Sequence, residues 1–282
     1  MADSNPHSPQ GFAGADSRAA AFVEARLAAR AVPAYPGTMP ISIAEAYDIQ
    51  GDAIRLWPDK ISGWKVGRIN APFDSLYGTD RLAGPIFSRQ ISLAGTGSET
   101  VHVIPGGFGA IEGEIVIEAA ADAPASKFNW TLEEAENLIE TLRIGVEVAS
   151  SPLAEINDHG PLVTISDFGN NNGLILGSVI KGWRTQNPSD WHLRTLIDGV
   201  EAGAADAASI PGGPLESFRA LLEICARRGL PIRRGMQIST GAVTGVHSIR
   251  PGQHATIEMA GMPAIECSVR AASGVSLPSN PA

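Results

Sequence analysis

Cysteine is nearly absent from this chain: Cys225 and Cys267 are the two thiols in 282 residues. So far apart in sequence, they suggest neither a disulfide framework nor a thiolate zinc site. Each lies in a partly apolar stretch, where a thiol serves as a small buried hydrophobe. Positive charge is scarce as well. Lys and Arg number 21 against 30 Asp and Glu, a formal net charge of −9, which argues against nucleic acid and anionic membrane surfaces as partners. A small acidic ligand stays compatible with that charge, because one local cation outweighs the global field. No apolar run approaches the length of a membrane span, and the opening residues MADSNPHSPQGFAGADS lack the apolar segment of a secretory signal. The expectation is a cytoplasmic protein with a disordered tail over 1–16 and a frayed tail over 273–282.

What remains is an ordinary globular composition, 44% hydrophobic and 18% charged, long enough for one large domain or two small ones. A helical pattern begins near Asp16, with Ala19, Val23, Leu27 and Ala31 on one face and Pro33 at its end. Ser42 with Glu45 reads as a capping box opening a second helix that Pro58 stops. Residues 17–60 thus form an N-terminal helical part. Beyond it the texture turns to short apolar runs punctuated by Gly and Pro: SGWKVGRI, EGEIVIEAA, IGVEVAS, NNGLILGSVI, MQISTGAVTGV, HATIEMA and AIECSVRA. WTLEEAENLIETL reads as a helix capped by Thr131, SDWHLRTLIDGVEAG as a strand ending in a turn at Asp198-Gly199, and GPLESFRALLEICARRG as a helix between Pro214 and Gly229. Residues 61–272 are therefore a strand-rich body without strict βαβ alternation, and the chain as a whole is α+β.

The chemistry-bearing residues are carboxylates. In Ile111-Glu112-Gly113-Glu114-Ile115-Val116-Ile117, a strand would put the isoleucines on one face and Glu112 with Glu114 on the other. Two such carboxylates repel unless water or a cation lies between them. A solvent-facing acidic edge, which Glu118 on the same face would extend, explains them as well as a metal site does. Glu147 shifts the weighing. It sits within the apolar run Leu142–Ala149, on a face shared with the small Gly145 and Ala149 and opposite Ile144, Val146 and Val148. Burying that carboxylate unpaired would cost several kcal/mol or shift its pKa, and a cation would remove the cost. Carboxylates with no His or thiolate beside them suit Mg²⁺, Mn²⁺ or Ca²⁺ better than Zn²⁺. In Gly63-Trp64-Lys65-Val66-Gly67 a Lys shares its face with two glycines. It either reaches along a cavity towards an anion or snorkels to solvent.

Together these segments resemble the 2-keto-4-pentenoate hydratase family, within the fumarylacetoacetase C-terminal-like superfamily. The resemblance rests on AEAYDIQ (44–50), GWKVG (63–67), EGE (112–114), Glu147 in VEVA, SDFGNNNGLILG (166–177), GPLESFRALLE (213–223) and STGAVTGVHSIRPGQ (239–253). These occur in the family's order at about its spacing, from about Arg18 to Val269. The resemblance implies a β-rich, fumarylacetoacetase-like rolled sheet as the catalytic domain over 61–272. It implies one Mg²⁺ (or Mn²⁺) held by Glu112, Glu114 and Glu147, gripping a small 2-oxo or 2-hydroxydienoic acid, and a homo-oligomer serving aromatic catabolism. Lys65 matches the family's active-site Lys and Asp167 the Asp of its A-D-N motif. Ser239, Thr240 and Gly241 match a segment near the substrate carboxylate. The chain departs from the pattern at Ser150, where the family has an acid, and at Phe168, where it has the Asn of A-D-N. It departs again at Gly78–Leu82, which lacks a Pro, and at Arg68, where hydratases carry a neutral residue.

The activity this implies is that of a hydro-lyase: a hydratase adding water to a 2-hydroxy-2,4-dienoate to give a 4-hydroxy-2-oxo acid, with Lys65 or Asp167 moving protons. The alternative is decarboxylation of a 2-oxo-3-enedioate of the oxalocrotonate type, for which Arg68 or Arg81 would hold the second carboxylate. Hydrolysis of acylpyruvates ranks lower, because it uses a His-Glu pair on a helical lid. Between Arg68 and Gly109 the single His is His102, with no Glu three residues on.

Overall fold

The structure, a computed structural model, describes residues 14–274; the expected tails lie almost wholly outside them. Along the chain run α1 (Ser17–Leu27), α2 (Ile43–Leu56), β1 (Ile61–Arg68), α3 (Phe73–Tyr77), β2 (Arg81–Phe87), β3 (Ile91–Leu93), β4 (Glu99–Val103) and β5 (Phe108–Ala119). Then come α4 (Leu132–Glu136), β6 (Ile139–Ser151), α5 (Pro161–Ser166), β7 (Asn171–Val179), β8 (His192–Ile197) and β9 (Val200–Asp206). The last elements are α6 (Gly213–Arg227), β10 (Gln237–Ala242), β11 (His247–Ser248), β12 (His254–Met259) and β13 (Ile265–Ala271). Among the described residues no helix is long and apolar enough to cross a membrane.

The strands form two sheets. The larger runs in the order β2-β1-β10-β5-β6-β7-β3, with β11 added beside β5, and the smaller runs β4-β13-β12-β8-β9. The long β5–β6 ladder is the spine. Its odd-numbered β5 side chains Ile111, Ile115 and Ile117, and Ile144, Val146 and Val148 of β6, are buried in one cluster with Val101, Ala255, Ile257 and Cys267 of the smaller sheet. Period-2 alternation thus commits one face of the ladder to sheet-on-sheet packing. The other face carries the glutamates and looks into the concavity of the larger sheet. That sheet curls into a half barrel, and the turn before β7 touches β2. A Cβ on Gly84 would lie 2.1 Å from the Phe168 carbonyl oxygen, so only glycine permits the approach.

The N-terminal helices follow their sequence signals with small shifts. Asp16 caps α1 by accepting from the Arg18 N–H at 2.8 Å. The helix ends before Ala31 because Ala29 turns the chain at φ 49°. Ser42 accepts from the Glu45 N–H at 3.1 Å, but the Glu45 carboxylate accepts from Ile41 N at 2.9 Å and from Arg18, not from Ser42. Both helices share a core with the sheet: Ala19, Val23, Ile49 and Ala53 pack with Phe87 and Phe168.

One expected element differs. WTLEEAENLIETL is helical only over Leu132–Glu136, where Thr131 and Glu134 close a full capping box, and β6 starts at Ile139. Here the pairing of β6 with β5, twelve registered residue pairs long, outweighs local helix propensity. The turn at Asp198-Gly199 does join two strands, with φ of 50° and 79°, and both cysteines are buried and free.

Candidate functional site

Register brings the three glutamates together. Glu112 pairs directly across from Glu147, and Glu114 stands opposite Gly145, where a Cβ would lie 2.4 Å from Val116 Cγ2 and only glycine fits. All three carboxylates are buried, with one oxygen of each lying within 4.8 Å of the others. Glu114 Oε1 and Glu147 Oε2 have no hydrogen-bond partner among the described residues. Buried, unpartnered, hard oxygen donors with no imidazole or thiolate among them are what Mg²⁺, Mn²⁺ or Ca²⁺ requires. The group could hold one such ion, and the acidic-edge reading fails. Burial first, then the field of Glu147, pushes the Glu112 carboxyl up to about 8, with Lys65 opposing. Burial and both neighbouring carboxylates raise Glu114 well above the ordinary carboxylate range as well, against the hydroxyl of Ser239 and the N–H of Gly241.

Lys65 points at this group. Its Nζ is 3.6 Å from Glu147 Oε1 and 3.5 Å from Asn170 Oδ1. Burial works against its charge, but Glu147, Glu112 and Glu114 outweigh that and hold its pKa above the ordinary lysine value. Glu147 Oε1 also accepts from the Asn171 amide at 2.9 Å. The strand β10, lying between β1 and β5, supplies the rest. Its register slips between Ser239 and Ala242, and Gly241 at φ 121° turns its N–H to Glu114 Oε2 at 3.0 Å. Ser239 donates to the same oxygen, while the Thr240 hydroxyl donates to the Ile115 carbonyl at 2.7 Å. Thr240 and Gly241 line the cavity; Ser239 stands behind, on Glu114.

That cavity, about 540 Å³, is lined by Lys65, Glu112, Asn170, Thr240, Arg68 and Arg81 among others, and by no histidine among the described residues. His102 is exposed on β4, and it is the His102 backbone carbonyl that accepts from Asn172. Arg68 is exposed at the rim. Arg81 is buried, with Nη1 donating to Asp80 Oδ2 and Nη2 to the Pro211 carbonyl, both at 2.6 Å.

Asp167 does not join this site. It is absent from the cavity wall and is held bidentately by Arg26, Nε to Oδ1 at 2.5 Å and Nη2 to Oδ2 at 2.9 Å, with Ser151 Oγ donating at 2.6 Å. The structure therefore places the Asp167 carboxylate on Arg26 and Ser151, away from the cavity that Lys65 lines. The residue that reaches Lys65 is Asn170, which sequence reasoning missed. Phe168, Gly169 and Asn170 form three consecutive left-handed residues, φ 55°, 63° and 58°, and this turn swings the third side chain into the cavity. Asparagine is among the few residues that tolerate such a conformation, so the run Asn170–Asn172 was the available signal. The unusual Phe168 packs at 5.1 Å from Phe87 and 5.5 Å from Trp57, and Ser150 Oγ donates to the Phe108 carbonyl at 2.7 Å. Both departures belong to packing, not to the cavity.

No protein-family model matches the chain. The 4-oxalocrotonate decarboxylase of Pseudomonas putida is 36% identical over 90 residues, a match covering 29% of this chain and 33% of that protein. The chain therefore aligns with only a third of the length of this curated relative. Among solved structures, 4-oxalocrotonate decarboxylase from Pseudomonas putida G7 with magnesium and adipate superposes with a TM-score of 0.75 at 21% identity, over 94% of this chain and 100% of that one. The fold is fumarylacetoacetase-like. A fumarylpyruvate hydrolase from Pseudomonas aeruginosa with Mn²⁺ and pyruvate shares it more distantly, at TM-score 0.54 and 16% identity over 76% of this chain and 91% of its own. The expected α+β rolled sheet is thereby shown. Two structures of that decarboxylase are complexed with magnesium and with calcium, and the hydrolase with Mn²⁺, in keeping with the glutamate group here.

Proposed function

We propose that the chain is a divalent-metal-dependent lyase that decarboxylates an unsaturated 2-oxo diacid. One observation carries this reading: the buried glutamate group and Lys65 adjoin a cavity that Arg68 and Arg81 also line. On β1, Arg68 lies three residues beyond Lys65, roughly 10 Å along a strand, and Arg81 is its cross-strand partner. Both arginines line the cavity together with Lys65, which suits a short chain with an anionic group at each end.

Glu112, Glu114 and Glu147 would hold the ion. When bound, a divalent cation supplies Lewis-acid stabilisation to the substrate's 2-oxo acid end. The chain's own groups do the rest. Breaking the bond to the distal carboxylate releases CO₂ and sends its electron pair through the conjugated chain towards the 2-oxygen. Lys65, kept cationic by its neighbours, donates the proton that the developing charge requires. Asn170 orients Lys65 by accepting from its ammonium. Hydration, the expectation from motifs alone, additionally needs a base to activate water. With Asp167 committed to Arg26, the carboxylates left beside the cavity are the proposed metal ligands. The decarboxylases among the similar proteins support the same choice.

Purified protein with Mg²⁺ should lower the ultraviolet absorbance of an oxalocrotonate-type diacid and release one CO₂ per turnover. Turnover of 2-hydroxypentadienoate with no CO₂ from the diacid would restore hydration, and cleavage of an acylpyruvate would point to hydrolysis. We also propose that the protein is cytoplasmic and a homo-oligomer, and sedimentation of the full chain checks the second.

A further inference from the structure

We infer that Arg26, on the N-terminal helix, is a positioning residue for the glutamate centre. The inference rests on the metal-binding reading above. Arg26 is buried, and its partner Asp167 lies 141 residues away in sequence. A simple ion pair would use two of its donors, but this guanidinium uses all three nitrogens. Beyond Asp167, Nη1 donates to the Asn171 carbonyl at 3.1 Å and Nη2 to the Ser150 carbonyl at 2.8 Å. Its plane also lies over the Phe168 ring, 5.2 Å from the centroid.

Those contacts enclose a single stretch of backbone. Asp167 begins it, Phe168 to Asn170 form the left-handed turn, and Asn171 ends it. The two side chains this stretch sends into the site are Asn170, which meets Lys65, and Asn171, which donates to Glu147. A left-handed Phe is strained, and such strain persists only where surrounding structure over-determines it. Arg26 supplies that constraint at both ends of the turn. Ser150, whose carbonyl it also holds, lies three residues from Glu147 on β6. One side chain of α1 thereby fixes the second partner of a metal ligand and the orienting partner of Lys65. Groups that orient metal ligands in this way typically change metal affinity by about 10–100-fold.

The test is Mn²⁺ affinity of the full chain, followed by electron paramagnetic resonance, beside thermal melting of each variant. Arg26→Lys keeps a cation on Asp167 but cannot span both carbonyls; it should fold and raise the Mn²⁺ Kd by about 10-fold or more. Arg26→Met/Asp167→Leu removes the charges together and should show the same loss. Asn171→Ala should weaken Mn²⁺ similarly, and combining it with Arg26→Lys should add little, because both act through one contact. Wild-type affinity in the folded Arg26 variants overturns the inference, as does full additivity in the double variant. Failure of every Arg26 variant to fold would also overturn it, by reducing Arg26 to a structural role. Glu147→Gln is the separate control. If it binds Mn²⁺ like wild type, the metal reading itself fails; if it loses binding while Arg26→Lys retains it, only the positioning role does.

Discussion

At the scale of single residues, Lys65 is the group whose removal is most informative. Lys65→Met should leave Mn²⁺ binding largely intact and lower kcat by about 10²-fold or more if the Lys65 proton moves in the slow step. Lys65→Arg should not rescue it, because guanidinium is too basic to give up a proton near neutral pH. Wild-type turnover in Lys65→Met would reduce Lys65 to packing, and in Lys65→Arg to a charge-balancing role. Arg81 differs because its ionic partner Asp80 is 58% exposed and solvates itself when the arginine is removed. Arg81→Ala should therefore cost less than breaking a fully buried pair, raising KM for a diacid by about 10-fold or more while sparing a monoacid and leaving kcat nearly unchanged. Asp80 already part-neutralises this cation, which suits holding a carboxylate that must leave as neutral CO₂. Steady-state kinetics on both substrates decide the point.

At the scale of elements, the site depends on the close contact between β2 and the turn before β7. Gly84→Ala would drive a Cβ into the Phe168 carbonyl. It should destabilise the fold by about 1–3 kcal/mol, as overpacking does, and displace Asn170 from Lys65. Urea denaturation reads the first effect and kcat the second; an unaffected variant would mean that the turn is freer than its geometry indicates. The β5–β6 ladder makes a second prediction, about pH. Without metal, Glu112 titrates at about 8 in the folded protein, far above its unfolded value, and Glu114 is raised as well. The folded state then binds more protons than the unfolded one through that interval. The metal-free protein should thus be most stable in mild acid and lose stability as pH rises towards 8 and beyond. Raised Lys65 adds to this loss only above the ordinary lysine pKa, where the folded state still holds its proton. Denaturation midpoints after EDTA treatment should fall between pH 6 and 9, and a rise would contradict the upward shift that burial and, after it, Glu147 produce.

At the scale of the whole molecule, the ligands sit on strands that an apolar face holds independently of any ion. EDTA should therefore leave a folded, inactive protein. Saturating Mn²⁺ should stabilise it by about 2.7 kcal/mol at a hundredfold excess over Kd, and turnover that survives EDTA would exclude the proposed chemistry. Much of this arrangement was legible beforehand. Alternation in Ile111–Ile117 already put Glu112 and Glu114 on one face, and the apolar run Leu142–Ala149 already pointed to a buried Glu147. Local spacing carries such facts because a strand's period is two whatever the strand packs against. The same spacing could not say that Glu112 and Glu147 stand directly opposite, since register belongs to a pair of strands and not to either one. Nor could it tell Asp167 from Asn170 as the residue facing Lys65. That choice turned on Arg26, which comes from α1, and on a left-handed turn that only the contacts of Gly84, Phe87 and Phe168 hold in place. The sequence by itself determined which residue types could bind a hard cation and which faces they shared. Tertiary structure decided which of them meet, because burial and long-range pairing set the energy of a charged group far more strongly than its neighbours along the chain.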